Sequence, residues 1–286
     1  MSANPAPAGG PAAGAADQYR AARSSAVLAD RSDLGRLVIS GRDAADLLHR
    51  LTTNATRDLR DGDGVPTVFV TPKGRIVDLV TLHRMSDHLL CLTGRGRAAA
   101  VAAWIDRYTF REEVRVEDRG AALGILGLYG ARASEAVAAL FGEAAAARPR
   151  HHTARVGSAE DPVAVAPTYP LAGGGFLLIV RRGALDALRR RILGSRREVI
   201  AAGEACLEAL RIESGLPAAG RELTEDYNPW EARLDEAVSL TKGCYVGQEV
   251  IARLNTYAKV TKRLVRLELP GPGVAPAGGR ASRLSR

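Results

Sequence analysis

The chain has 286 residues, a formal charge of +8 and a pI near 9.8, with 46% hydrophobic and 25% charged residues. That length and balance suit a soluble globular protein with a sizeable core, long enough for two domains or a compact multi-part architecture. Alanine aside, the longest apolar run is Phe176 to Val180. It falls far short of the roughly 20 residues that a membrane helix needs.

From the N-terminus, residues 1–17 are mainly Ala, Pro and Gly, without the cationic start and Leu-rich centre of a secretory signal. They are expected to be a disordered tail. Leu37 to Ser40 reads as a strand. Gly41 to Leu51 reads as a helix with Ala44, Leu47, Leu48 and Leu51 on one face. Val65–Val70 and Ile76–Leu82 are expected to pair across a turn at Thr71-Pro-Lys-Gly74. A strand over His88–Thr93, a helix over Arg97–Tyr108 and a strand over Val114–Asp118 follow.

Leu123–Leu128 reads as a strand, and the helix after it, ending at Phe141, is expected to take Ser134 as its N-cap. The Ala- and Arg-rich stretch to about 160 reads as a surface excursion. Phe176–Val180 (strand), Ala184–Leu193 (helix) and Ala202–Ser214 (helix) come next. Elements interleave without a βαβ repeat, which indicates α+β, and neither a dinucleotide fingerprint nor a P-loop occurs.

The arginine-rich stretch from Arg181 to Arg197 is either a solvated helix face or an anion-binding face. No aromatic residues interleave with it, so direct nucleic-acid binding is disfavoured. Cys91, Cys206 and Cys244 are odd in number and widely spaced, so neither a disulfide framework nor a metal site follows, and a cytoplasmic location is expected. The five histidines have no ligand-like spacing and read as surface or packing residues.

Two segments could carry chemistry. In the helix Ala202–Ser214, Cys206, Leu207, Ala209 and Leu210 mark an apolar face, and Glu213 is seven residues beyond Cys206 on the same face. An inward carboxylate needs a partner: an internal arginine, or a ligand with adjacent N–H donors such as a pterin. The second segment is Lys242-Gly-Cys-Tyr-Val-Gly-Gln-Glu249, where Gly243 and Gly247 permit tight turns and Gln248 opens a helix. Cys244, beside Lys242 and near a helix start, is either an activated thiol or a small buried thiol in a packed turn. The reading that unites the two has Cys244 and Glu213 lining one shared cavity.

The octapeptide resembles the signature of the YgfZ branch of the YgfZ/GcvT folate-binding family. Arg211-Ile-Glu-Ser-Gly-Leu-Pro217, Glu222 to Glu231, Gly41-Arg-Asp-Ala44 and Leu51-Thr-Thr-Asn54 are similar to further family segments. The resemblance runs from about residue 35 to about 269. It implies a clover-leaf of α+β lobes around a central folate channel. The first lobe would be residues 18–50 and 120–258, with residues 51–119 inserted as the second. Lys262–Leu269 would be the first strand of a third, truncated barrel within 259–286.

The resemblance implies tetrahydrofolate as cofactor, iron–sulfur client enzymes as partners and a role in their maintenance, including tRNA modification. The alternative is a folate-dependent aminomethyltransferase or demethylase of the glycine-cleavage type. A nucleic-acid-binding module is a third reading. On the family pattern Cys244 and Asp78 are the candidate catalytic residues, and Arg211, Glu213, Glu231 and Asn54 the candidate folate-binding residues. Lys242, Gly243, Tyr245, Gly247, Gln248 and Glu249 complete the motif loop. The segment Gly74-Arg-Ile-Val-Asp78-Leu79 keeps one of the transferases' two adjacent aspartates, and Ala172-Gly-Gly-Gly-Phe176 lacks their glutamate. A shift of one residue in a strand would turn Asp78 to the opposite face.

Overall fold

The computed structural model describes residues 13–267. In chain order these form α1 (Ala15–Ser24), β1 (Ala26–Asp30), β2 (Leu34–Ser40), α2 (Ala44–Leu51), β3 (Gly64–Val70), β4 (Ile76–Arg84) and β5 (Leu89–Arg95). Then come α3 (Ala98–Arg107), β6 (Arg115–Asp118), β7 (Leu123–Tyr129), α4 (Ala133–Phe141) and the short α5 (Glu143–Ala146). The remainder comprises β8 (Ala154–Gly157), β9 (Pro162–Leu171), β10 (Gly174–Arg181), α6 (Leu185–Ser195), β11 (Val199–Ala201), α7 (Glu204–Glu213) and α8 (Gln248–Thr256).

Two sheets result. One is fully antiparallel, in the order β3-β4-β5-β2-β6; the other runs β11-β1-β7-β10-β9-β8 and is antiparallel except between β1 and β11. The mixed α/β class with antiparallel sheets is as expected. By sheet membership Leu34–Leu51 goes with the five-stranded unit, whereas the expected grouping put residues 18–50 with 120–258.

The helical period decides what α2 buries. Ala44, Leu47, Leu48 and Leu51 are all buried, packed on Leu37, Ile39, Phe69, Val80 and Leu82 of the first sheet. Each fully buried leucine contributes about 2 kcal/mol. The hairpin β3–β4 also forms as read. Gly74 takes φ +69, its N–H donates to Thr71 O, and one register shift lies beside the turn. The central strand β7 is covered on both faces, which explains its near-continuous apolar sequence. Leu126 and Leu128 pack with α4 and α6, while Ile125 and Tyr129 face α1 and α7. That second cluster joins the sheets, because Leu90 and Leu92 of β5 pack with Ile125, Leu177, Ile179, Cys206 and Leu210.

Several expectations are corrected. Residues 15–17 of the expected tail begin α1, whose Ala22 and Tyr19 pack into the joining cluster; residues 1–12 lie outside the described residues. Ser134 is inside α4, which starts at Ala133 after Arg132 and makes no side-chain cap. The excursion to 160 holds α5 and β8, and β9 follows at once. Three prolines disguise β9: Pro162 opens the strand, and a register shift lies opposite the stretch Pro167–Leu171 that holds the other two. No strand forms over 262–267, where Leu264 N–H donates to Glu231 O; the rest of that expected strand and its tail lie outside the described residues. A strand needs a partner ladder, and none is present there among the described residues.

His83 and His151 form a buried link between the sheets. His83 Nδ1 is 2.9 Å from His151 O, so Nδ1 carries the proton. The Nε2 atoms of both rings are buried without partners among the described residues. Burial lowers the pKa of His83 to about 4 and that of His151 to about 3, so both rings are neutral at pH 7. No helix among the described residues is long and apolar enough to cross a membrane.

Candidate functional site

Between the sheets lies a cavity of about 990 Å³. Leu79 and Thr81 of β4 and Leu92–Arg95 of β5 form one wall, and Leu171 and Leu177 contribute to the other. The end of α7 with Arg211 and Glu213, the segment Ser214–Ala219, and Arg233, Leu234 and Glu236 complete the lining.

Asp78 is one residue out of step with the lining positions Leu79 and Thr81, and it is only 1% exposed. Strand alternation turns its side chain away from the main opening. The carboxylate is nevertheless immediately behind the lining. Oδ2 accepts the N–H of Gly94 at 2.8 Å, and Oδ1 is buried without a partner. A β-carbon on Gly94 would be 2.9 Å from Oδ1 and 2.5 Å from the β-carbon of Ala219, so the acid and Ala219 both crowd the lining residue Gly94. Burial raises the pKa to about 6, opposed by the Gly94 and Leu79 N–H groups and by Arg97. Burial thus favours the protonated form of a carboxyl that ordinarily ionises well below neutrality.

The end of α7 departs from expectation. Cys206 and Leu210 are buried, but Ala209 is exposed. Glu213 reaches the cavity rim with its side chain 35% exposed, paired with Arg23 at 2.5 Å and accepting the Tyr19 hydroxyl at 3.0 Å. Both partners come from α1. Glu213 is thus not turned inward, and the arginine that pairs with it is itself largely exposed rather than internal. Arg211 also lines the cavity, yet it is engaged by Glu208 (2.7 Å), Glu222 (3.1 Å) and Leu216 O (2.5 Å). Glu222 in turn accepts the Ala218 N–H, so Arg211 secures the segment that covers Asp78.

Glu231 and Asn54 do not line the cavity. Glu231 is buried, accepts the Asn228 N–H at 3.0 Å and faces Arg75 at 3.6 Å, which orders the turn before it. Asn54 donates to Pro66 O and Glu236 O, and its own oxygen accepts the Ala55 N–H. These groups are used in the fold.

The motif loop is built around Lys242. Its ammonium donates to the carbonyls of His49, Thr52 and Asn54, at the C-terminal end of α2, and lies 4.9 Å from the centre of the Tyr245 ring. Burial and the charge of Arg57 push its pKa down to about 7, and three carbonyl acceptors oppose this by holding the charged form. Tyr245 is buried with Val70, Ile76 and Trp230. Gly247 takes φ +79, and a β-carbon there would be 2.5 Å from Thr71 O, so only glycine fits. Gly243, by contrast, needs no left-handed backbone. Gln248 N–H donates to Tyr245 O where α8 begins, and Glu249 is exposed in its first turn.

Cys244 is exposed and does not line the cavity. The expectation that Cys244 and Glu213 share one cavity is thus overturned: the loop packs against α2 and β3, and α7 packs against α1. Gly94, which donates to Asp78, and Ala219, which crowds Gly94, carried no signal in the sequence, because small residues matter there only through their neighbours. Among the described residues no group of three or more His, Cys, Asp or Glu could hold a metal.

The GCVT N-terminal domain model matches residues 11–242. "Putative transferase At1g60990, chloroplastic" of Arabidopsis thaliana is 31% identical over 247 residues, which is 86% of this chain and 57% of that protein. The chain therefore spans little more than half the length of this relative. An aminomethyltransferase of Herpetosiphon aurantiacus is 28% identical over 268 residues, 93% of this chain and 73% of the relative. The crystal structure of glycine cleavage system aminomethyltransferase T from Bartonella henselae superposes with a TM-score of 0.75 at 22% identity, over 86% of this chain and 67% of that one. That likeness is one of fold. These relatives are named as transferases, which fits the aminomethyltransferase alternative better than the expected YgfZ branch with its iron–sulfur and tRNA roles.

Proposed function

We propose, for a chain that belongs to the GCVT N-terminal domain family, that it binds a reduced folate between its sheets and takes part in folate-dependent one-carbon transfer of the aminomethyltransferase type. The observation that carries this reading is the buried, half-unpartnered carboxyl of Asp78 directly behind the wall of a cavity of ligand size. Leu79, Leu92, Leu171 and Leu177 supply apolar surface for a flat ring, and the arginines of the rim suit an anionic end.

Tetrahydrofolate would supply the nitrogen that accepts the one-carbon unit. Asp78 would hold or release a proton at Oδ1, and withdrawal of Ala219 would bring that atom into contact with the ligand. Arg211 would act first through the covering segment. Calorimetric titration with tetrahydrofolate is expected to show one site per chain, with Kd on the order of micromolar. Absence of heat, together with no protection against thermal unfolding, would defeat the reading.

A second reading, the YgfZ-type role beside iron–sulfur enzymes, is favoured by one observation: Cys244 is exposed within the octapeptide, whereas Cys91 and Cys206 are buried. Burial also raises the pKa of both buried thiols. A thiol reagent is expected to modify Cys244 alone in the native protein without impairing tetrahydrofolate binding. Equal labelling of Cys91 would remove the distinction.

A further inference from the structure

Eight arginines and five carboxylates line the cavity, leaving its surface cationic. Each of the five carboxylates is already in an ion pair: Asp33 with Arg31 and Arg95, Glu204 with Arg95, Glu208 with Arg211 and Arg221, Glu213 with Arg23, and Glu236 with Arg150. Arg266 donates to Glu213 O. The Arg233 guanidinium has no hydrogen bond, ion pair or ring contact with any described residue.

Its backbone is unusual as well. Arg233 takes φ +58, in the left-handed region that a long side chain rarely occupies. Ala232 and Leu234 on either side are buried with Trp230. The turn thus keeps two apolar neighbours in the core while presenting a guanidinium to the cavity, at the expense of local strain. Glycine or asparagine would hold this conformation more easily. Strain and an unmatched charge coincide at one lining position, and packing accounts for neither the choice of arginine nor its direction.

We infer that Arg233 is an anion-binding residue of this cavity, and that it meets the carboxylates at the glutamyl end of the ligand. The identity of that ligand rests on the folate reading above. A planar guanidinium can engage a carboxylate through two parallel N–H donors, and a solvent-facing rim suits the charged end of a molecule whose ring lies on the leucines.

The test is Arg233→Gly, which relieves the strain and so should leave the fold intact. Its melting temperature is expected to rise by about 2–4 °C. Its affinity for tetrahydrofolate should fall about tenfold to a hundredfold, while that for tetrahydropteroate, which lacks the glutamate, should be unchanged. Equal loss for the two ligands, or loss for neither, overturns the inference. If the wild type binds neither, the folate reading fails, and γ-linked triglutamate alone then decides the rim site by thermal shift. Protection of the wild type that disappears in Arg233→Gly sustains Arg233 as an anion site; absence of protection overturns it.

Discussion

Asp78→Asn is expected to slow one-carbon transfer to tetrahydrofolate by about a thousandfold, the scale on which a positioned acid or base contributes, and yet to stabilise the protein at pH 7. Asparagine can still accept the Gly94 N–H that Asp78 Oδ2 now accepts. It cannot exchange a proton at the position of Oδ1. The stability gain follows from the raised pKa. An aspartate held at about 6 in the fold, against 3.8 otherwise, burdens the native state by about 3 kcal/mol once ionised. Because the folded state binds the proton more tightly, this burden is present at pH 7 and is lifted as the pH falls through 6 towards 3.8. The stabilisation by Asp78→Asn should therefore be about 1–2 kcal/mol at pH 7, after the needs of the new amide are met, and should shrink at pH 5. Full activity in the variant would remove Asp78 from the chemistry. A loss of stability at pH 7 would show the ionised carboxylate to be a structural partner instead.

Acidification from pH 6.5 to pH 4 is expected to remove about 4 kcal/mol of stability, a large part of the roughly 5–15 kcal/mol that holds a native protein together. His83 and His151 are the main cause. Their pKa values are depressed to about 4 and about 3, so the unfolded chain, with histidines near 6.5, takes up protons that the fold refuses. The contribution of the neutral rings is complete above 6.5 and is lost as the pH falls towards the folded values. Together they remove about 6 kcal/mol over this interval, while Asp78, titrating in the opposite sense, returns about 2. Urea unfolding at pH 7, 6, 5 and 4 measures the slope. His83→Asn retains a donor for His151 O but has no ring to protonate, and it should reduce the loss from about 4 to about 1 kcal/mol. Stability that stays flat from pH 7 to 4.5 in the wild type would mean that water reaches both rings.

The elements set by local pattern were legible without coordinates. The face of α2 follows from Ala44, Leu47, Leu48 and Leu51 at helical spacing, and the β3–β4 hairpin from Pro72 and Gly74 between two alternating runs. The octapeptide announced a constrained loop before a helix, and Gly247, pressed against Thr71 O, is where that constraint lies. By contrast α1 has a polar composition and little apolar surface of its own, and β9 contains three prolines. Each is held by what packs or pairs with it, so neither had a local signature.

Family membership and the α+β class were thus decided by the amino-acid sequence itself, since both rest on motifs and periodicities contained within single segments. Only the tertiary structure decided which groups meet. It set Glu213 against Arg23 and Tyr19, separated Cys244 from the cavity, placed Asp78 behind Gly94, and left Arg233 without a partner among the described residues. The physical reason is that periodicity tells a side chain which face of its own element it occupies. What covers that face comes from residues a hundred or more positions away, and it is there that charge is matched or left unmatched.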